Sequence, residues 1–84
     1  MIHKIGLFPG SFDPFTKGHE VVVRKSLSLF DEVVIGIGVN SKKTYMYDLD
    51  KRIEHIKSLF TADENIRVES FQSLTVDFCK VIGA

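Results

Sequence analysis

The chain has 84 residues, of which 44% are apolar, and its 11 lysines and arginines balance 11 aspartates and glutamates. This length fits one small domain, near the lower limit for a chain that folds alone. The zero formal charge argues against a protein held on nucleic acid by phosphate neutralisation. No apolar run is long enough to span a bilayer, so we expect no membrane partner. The single cysteine, Cys79, fits a reducing, cytoplasmic setting.

The first predicted unit is a short strand over residues 5–8, then a loop, then a helix over residues 18–30. The dipeptide Pro9-Gly10 is a turn signal that should end the strand. Thr16 is the predicted N-cap of the helix. One face of this helix is apolar at the spacing i, i+4, i+7, through Val23, Leu27 and Phe30.

The second unit begins with a nearly continuous apolar strand over residues 33–39, which is typical of a parallel strand buried on both faces. Asp48 is the predicted N-cap of the helix that follows. The third unit joins a strand over residues 66–71 to a helix over residues 74–82, which Gly83 should end. The charged residues of the second helix are expected to form its solvated face: Lys51, Arg52, Glu54 and Lys57.

Three strand–helix units with short connections predict an α/β fold with a parallel sheet and right-handed crossovers. In such sheets, ligands bind beyond the carboxyl ends of the strands. Two segments of the sequence fall at that edge, residues 9–19 after the first strand and residues 40–47 after the second. These two segments are therefore where a site is expected.

The segment of residues 9–19 carries the clearest chemical signal. A helix N-terminus offers free N–H groups and a positive dipole end, which favour a phosphate. Gly18 lacks a side chain where a ligand can approach closely, His19 in the first turn can point at that ligand, and the Ser11 hydroxyl can position a phosphate oxygen. Simpler interpretations stay open, because His19 can bond a loop carbonyl and Ser11 can satisfy its own turn.

The block PGSFDPFTKGH at residues 9–19 contains the [HT]-x-G-H signature of the nucleotidylyltransferase superfamily and resembles the phosphopantetheine adenylyltransferase family. Similar segments follow in order: LFDEV at residues 29–33, GVNSKK at residues 38–43 and LTVDF at residues 74–78. The resemblance covers essentially the whole chain. It implies a Rossmann-like sheet, with three βα units of a normally five-stranded doubly wound fold. We expect residues 1–84 to form a single, truncated nucleotidylyltransferase domain.

The resemblance implies adenylyl transfer from ATP to 4′-phosphopantetheine, giving dephospho-coenzyme A and pyrophosphate, a step of coenzyme A biosynthesis. The phosphate of 4′-phosphopantetheine would attack the α-phosphorus of ATP in line, which demands positioning and charge stabilisation. Mg²⁺ would arrive with the ATP phosphates, and we expect no protein metal site. Two alternatives stay open: another superfamily member that transfers cytidylyl groups or adenylates nicotinamide mononucleotide, or an inactive fragment that binds nucleotide or self-associates.

On the nucleotide side, the resemblance implies that His19 contacts the α-phosphate and stabilises the transition state. It places Ser11, Phe12 and Gly18 with His19 at ATP. Ser11 would also hold the incoming phosphate of the second substrate.

On the pantetheine side, the resemblance implies that Lys43 bridges the phosphates of both substrates, with Lys42 as the alternative if the loop alignment shifts by one. Leu74 and Thr75 would bind the pantetheine arm, although Thr75 can equally be a helix cap. The aromatic segment at residues 45–47 is interpreted either as a cover over the loop or as a base-stacking platform.

Two family motifs, an Arg-Gly-x-Arg strand and a Ser-Ser-Thr-type segment, do not occur in these 84 residues. The mapped residues therefore represent half a site. In the family the first strand lies in the middle of the sheet, so in three strands it should be an exposed edge, which favours self-association. Because full-length members of the family are hexamers, we expect a homo-oligomer.

Overall fold

The structure is a computed structural model that describes residues 2–40, 42–72 and 74–84. Strands and helices alternate along the chain: β1 (Ile5–Gly10), α1 (Lys17–Ser26), β2 (Glu32–Gly38), α2 (Leu49–Leu59), β3 (Ile66–Phe71) and α3 (Thr75–Ile82). All strand pairs are parallel, and the order in the sheet is β1-β2-β3. The prediction of an α/β fold with a Rossmann-like parallel sheet is confirmed.

The central strand β2 is buried on both faces, as its apolar sequence predicts. Val33, Val34, Ile35 and Ile37 are at most 1% exposed. The core joins β2 to the inner faces of α1 and α2 and to two phenylalanines of the loop after β1. This packing holds that loop against the sheet.

Gly36 lies where three side chains close over β2. A Cβ atom added at Gly36 would lie 2.9 Å from Leu7 Cδ1, 3.1 Å from Phe71 Cε1 and 3.2 Å from Phe78 Cε2. Because all three neighbours must move, we expect Gly36→Ala to lower the free energy of unfolding by about 1–3 kcal/mol in urea titrations. Gly38→Ala is the matched control, since its nearest atom is 3.6 Å away, and should change stability by less than about 0.5 kcal/mol. Equal losses from both variants would contradict this interpretation of Gly36.

β1 extends through Pro9 and Gly10, two residues further than the turn signal predicts. Pro9 pairs with Gly36 and Gly10 pairs with Ile37 in the register with β2. Within the described ranges β1 pairs with β2 alone, so its other side is an open edge, as expected for three strands. Self-association along this edge stays a prediction.

α1 ends at Ser26, four residues before the end that the apolar spacing predicts. The Ser26 hydroxyl donates to the carbonyl of Val22 at 2.7 Å, and backbone bonds after Ser26 turn the chain toward β2. Phe30 therefore does not continue the helix. Its ring lies over Gly6 of β1, where an added Cβ atom would be 2.8 Å from Phe30 Cδ2.

α3 ends at Gly83, as predicted, with φ of 80° in the left-handed region that glycine favours. Cys79 of this helix is a free cysteine and is partly buried. In the portion of the chain that the structure describes, no helix combines the length and the apolar character needed to cross a membrane.

Candidate functional site

The loop after β1 is held by the side chain of Phe12. Phe12 is 4% exposed and adopts φ of 48°, a left-handed conformation that bulky residues avoid. Its ring lies 5.4 Å from the ring of Phe8 and 5.1 Å from that of Phe15. Gly10 leaves room for it, since a Cβ atom there would be 2.8 Å from Phe12 Cζ. The ring therefore belongs mainly to the core.

The T-x-G-H spacing forms a reciprocal cap at the start of α1. The His19 backbone N–H donates to Thr16 Oγ1 at 3.3 Å, and the Thr16 backbone N–H donates to His19 Nδ1 at 2.9 Å. This is a capping box with histidine in the position that glutamate or glutamine usually takes. Thr16 is therefore the N-cap, as predicted. His19 bonds a backbone N–H and not the loop carbonyl of the simpler interpretation.

This cap fixes which nitrogen of His19 carries the hydrogen. An Nδ1 that accepts from the Thr16 N–H presents its lone pair, so the ring hydrogen is on Nε2. The ring is held by Phe12 and Phe15, each with its ring centre 5.2 Å away. Among the described residues, Nε2 has no hydrogen-bond partner. The fold thus presents one N–H donor of fixed orientation.

His19 lines a cleft of about 520 Å³ formed by the loop after β1. The cleft also includes three residues at the end of β1 and the start of the loop: Pro9, Gly10 and Ser11. Gly18 does not line it. An added Cβ atom at Gly18 would meet only Thr16 Oγ1, at the ordinary distance of 3.6 Å, so contacts within the described chain do not require glycine there.

A second, larger cleft of about 750 Å³ opens at the carboxyl ends of all three strands. Four residues predicted to bind substrate line it together: Ser11, Lys43, Leu74 and Thr75. Ser11, with its neighbours Pro9 and Gly10, lines both clefts. The two predicted groups of site residues are therefore adjacent, and Ser11 lies between them.

The structure distinguishes the two lysines of the loop after β2. Lys43 lines the large cleft, whereas Lys42 does not. Asn40 shapes this turn, since its side-chain Oδ1 accepts from the Lys42 N–H and its carbonyl accepts from the Lys43 N–H, both at 3.0 Å. Ser41 of the same motif lies outside the described residues. Thr75 is the first residue of α3 and Leu74 is the N-cap, so Thr75 is not the cap.

Arg52 is the main departure from the predicted site. It was expected on the solvated face of α2, but it is 4% exposed. Its Nη1 donates to the Ser11 carbonyl at 2.8 Å, and its Nε donates to the Tyr47 carbonyl at 3.0 Å. In the first turn of a helix a long side chain points back toward the N-terminus, where these loops lie. The position of Arg52 in the first turn is therefore the signal from which its contact with these loops could have been predicted.

Within the aromatic segment after β2, Tyr45 packs on the loops, whereas Met46 and Tyr47 are exposed. The Tyr45 ring lies 4.3 Å below the guanidinium of Arg52, and its Oη accepts from the Asn40 N–H at 3.0 Å. The Asp13 carboxylate accepts from the backbone N–H groups of Met46 and Tyr47. Asp13 therefore shapes the loops. Within the described ranges no group of three acidic, histidine or cysteine side chains is placed to hold a metal ion.

A parallel α/β sheet whose ligand clefts lie beside a T-x-G-H helix start defines a protein of the nucleotidylyltransferase class. Residues 7–84 match the family described as cytidylyltransferase-like, and the chain belongs to that family. In structure it is similar to the NadR protein solved in complex with NAD and AMP-PNP, with a TM-score of 0.73 and 27% identity. That match covers 86% of this chain and 21% of the other.

Relatives similar over most of the chain are named phosphopantetheine adenylyltransferase. The protein from Cytophaga hutchinsonii is 52% identical over 96% of this chain and 54% of its own length. Those from Flavobacterium psychrophilum and Bacteroides fragilis are 47% and 46% identical, each over 93% of this chain and 52% of their own length. The resemblance seen in the sequence is confirmed, and the chain spans about half the length of these relatives.

Proposed function

We propose that this chain carries the N-terminal part of a phosphopantetheine adenylyltransferase site, which transfers the adenylyl group of ATP to 4′-phosphopantetheine. One observation carries the proposal: Ser11 lies between the cleft lined by His19 and the cleft lined by Lys43 and Thr75. Two substrates whose phosphates must meet need two adjoining clefts with a shared wall. The identity of 43–52% to proteins of that name favours phosphopantetheine as the acceptor.

In the proposed reaction, a phosphate oxygen of 4′-phosphopantetheine attacks the α-phosphorus of ATP. The new P–O bond forms as the bond to the β-phosphate breaks, and pyrophosphate leaves with that electron pair. The attacking phosphate is already an anion at neutral pH, so no general base is needed. Catalysis then depends on alignment and on groups that stabilise the developing charge.

His19 suits the α-phosphate because its Nε2–H is a fixed donor. A donor that is already oriented costs no reorganisation when charge builds up on the α-phosphate oxygens. The start of α1 adds its free N–H groups and positive dipole end, and the bare backbone at Gly18 leaves room for a close approach. Mg²⁺ enters this scheme as part of the MgATP substrate.

The proposal is tested by pyrophosphate release in the presence of Mg²⁺, with two acceptors for ATP and with CTP as an alternative donor. Turnover with 4′-phosphopantetheine supports it. Turnover with nicotinamide mononucleotide instead, or with CTP as the donor, assigns the chain to another branch of the family. Binding of ATP without any turnover identifies a nucleotide-binding fragment, and absence of both contradicts the proposal for this chain.

A homo-oligomer and a cytoplasmic setting stay predictions.

We predict that Lys43→Ala weakens the binding of 4′-phosphopantetheine about tenfold to a hundredfold. The cause is the loss of a charge-assisted hydrogen bond to phosphate, worth about 1.5–3 kcal/mol. Lys42→Ala is the matched control, since Lys42 is in the same loop but does not line the cleft. It should change the dissociation constant less than about threefold. Calorimetric titration measures both, and a larger loss for Lys42→Ala would reverse the assignment.

A further inference from the structure

Arg52 is a buried cation that bonds two different loops. Its guanidinium donates to the carbonyl of Ser11, in the loop after β1, and to the carbonyl of Tyr47, in the segment between β2 and α2. In the described part of the chain no carboxylate forms an ion pair with it. Burial of a charge is costly, and an apolar side chain would pack at this place without that cost. The two hydrogen bonds to carbonyls therefore indicate that the arginine has a role here that an apolar side chain could not fill.

The same two loops are joined again beside Arg52. The Asp13 carboxylate accepts from the N–H groups of Met46 and Tyr47. The Tyr45 ring stacks under the guanidinium and its Oη receives the Asn40 N–H. These contacts form one continuous network from the loop after β1 to the turn after β2.

Residues of both loops line the large cleft. Ser11, directly after β1, lines it on one side, and the segment after β2 contributes Asn40, Lys43 and Tyr45. Arg52 does not line this cleft itself, so its two bonds reach the cleft through the backbone of the loops that carry Ser11 and Lys43.

We propose that Arg52 is a positioning residue that holds the loop of Ser11 and the loop of Lys43 at a fixed separation for a phosphate-bearing substrate. This inference rests on the proposed function for the identity of that substrate. Arginine suits the role because one planar group supplies two diverging donors and a face for an aromatic ring. A lysine at this position bonds one carbonyl at a time, so it can keep the charge but not the separation.

The test compares Arg52→Lys and Arg52→Met with the wild-type chain by two measurements. Amide hydrogen exchange reports on the loops without any ligand, through the Met46 and Tyr47 N–H groups, with Ile35 as the core reference. Calorimetry with 4′-phosphopantetheine reports on the cleft. We expect both variants to lose tenfold or more of the loop protection, to keep that of Ile35, and to bind the ligand tenfold or more weakly.

Arg24→Lys is the matched control. Arg24 also lies over an aromatic ring, that of Phe60 at 4.9 Å, and also donates to a backbone carbonyl, that of Leu59. It is exposed and does not line the two clefts, so this variant should leave loop exchange and ligand binding unchanged.

Two outcomes would overturn the role of Arg52. In one, Met46 and Tyr47 keep their protection in both variants. In the other, Ile35 loses protection to the same extent as the loops, which would make Arg52 a general stabilising residue. If Arg52→Met does not fold, Arg52→Lys decides alone. Absence of ligand binding by the wild-type chain would count against the proposed function only, because the exchange measurement still decides whether Arg52 holds the loops.

Discussion

Replacement of His19 by asparagine is expected to lower the rate of pyrophosphate release by about 10²- to 10³-fold, the effect of removing one preorganised donor from a developing oxyanion. The asparagine Oδ1 can still accept the Thr16 N–H, so the cap of α1 should survive. What is lost is the hydrogen-bond donor that Nε2–H provides. The measurement is pyrophosphate release with ATP, Mg²⁺ and 4′-phosphopantetheine, compared at equal folded fraction.

His19→Gln is the companion variant, because glutamine is a usual member of a capping box: its Oε1 can accept the Thr16 N–H while its side-chain N–H is left to donate toward the phosphate. It should therefore keep the stability that the cap provides and retain more activity than His19→Asn. If His19→Asn turned over at the wild-type rate, the α-phosphate role of His19 would be wrong.

Phe15→Ala is expected to lower the free energy of unfolding by about 3–5 kcal/mol, a large part of the stability of a small domain. Phe15 is 4% exposed, and its ring contacts those of Phe12, His19 and Phe60. Loss of the ring leaves a cavity where the loop after β1 meets α2. Urea unfolding followed by circular dichroism measures the change.

Leu29→Ala is the control for this experiment, because Leu29 is 70% exposed. We expect it to change stability by less than about 0.5 kcal/mol. A loss below 1 kcal/mol for Phe15→Ala would show that the loop packs more loosely than the structure indicates. Full unfolding of Phe15→Ala agrees with the prediction, and Phe15→Leu then gives a measurable midpoint.

Features determined by neighbouring residues could be predicted from the sequence. The Thr16 cap, the burial of β2 and the left-handed Gly83 depend on local hydrogen bonds, apolar patterning and backbone freedom. In each of these cases a short stretch of chain contains its own physical cause. The residues Lys43 and Thr75 were instead implied by the family resemblance, and both line the large cleft.

Features determined by contacts distant in sequence could not be predicted. Arg52 has the spacing of a solvated helix residue, and it is buried because the carbonyls of Ser11 and Tyr47 reach it from outside the helix. β1 continues past its turn signal because Pro9 and Gly10 stay in register with Gly36 and Ile37 of β2, which are distant in sequence. The cap bond of His19 had a local signal, but histidine is an unusual third member of that motif.

The order β1-β2-β3 has a consequence for how the sheet is assembled. Strands that are neighbours in the sheet are also neighbours along the chain, so each pairing closes a loop of only one strand–helix unit. Closing such a loop costs less chain entropy than pairing strands that are further apart in the chain. The three strands can therefore be added one after another as the chain leaves the ribosome, and none has to insert between two strands that are already paired.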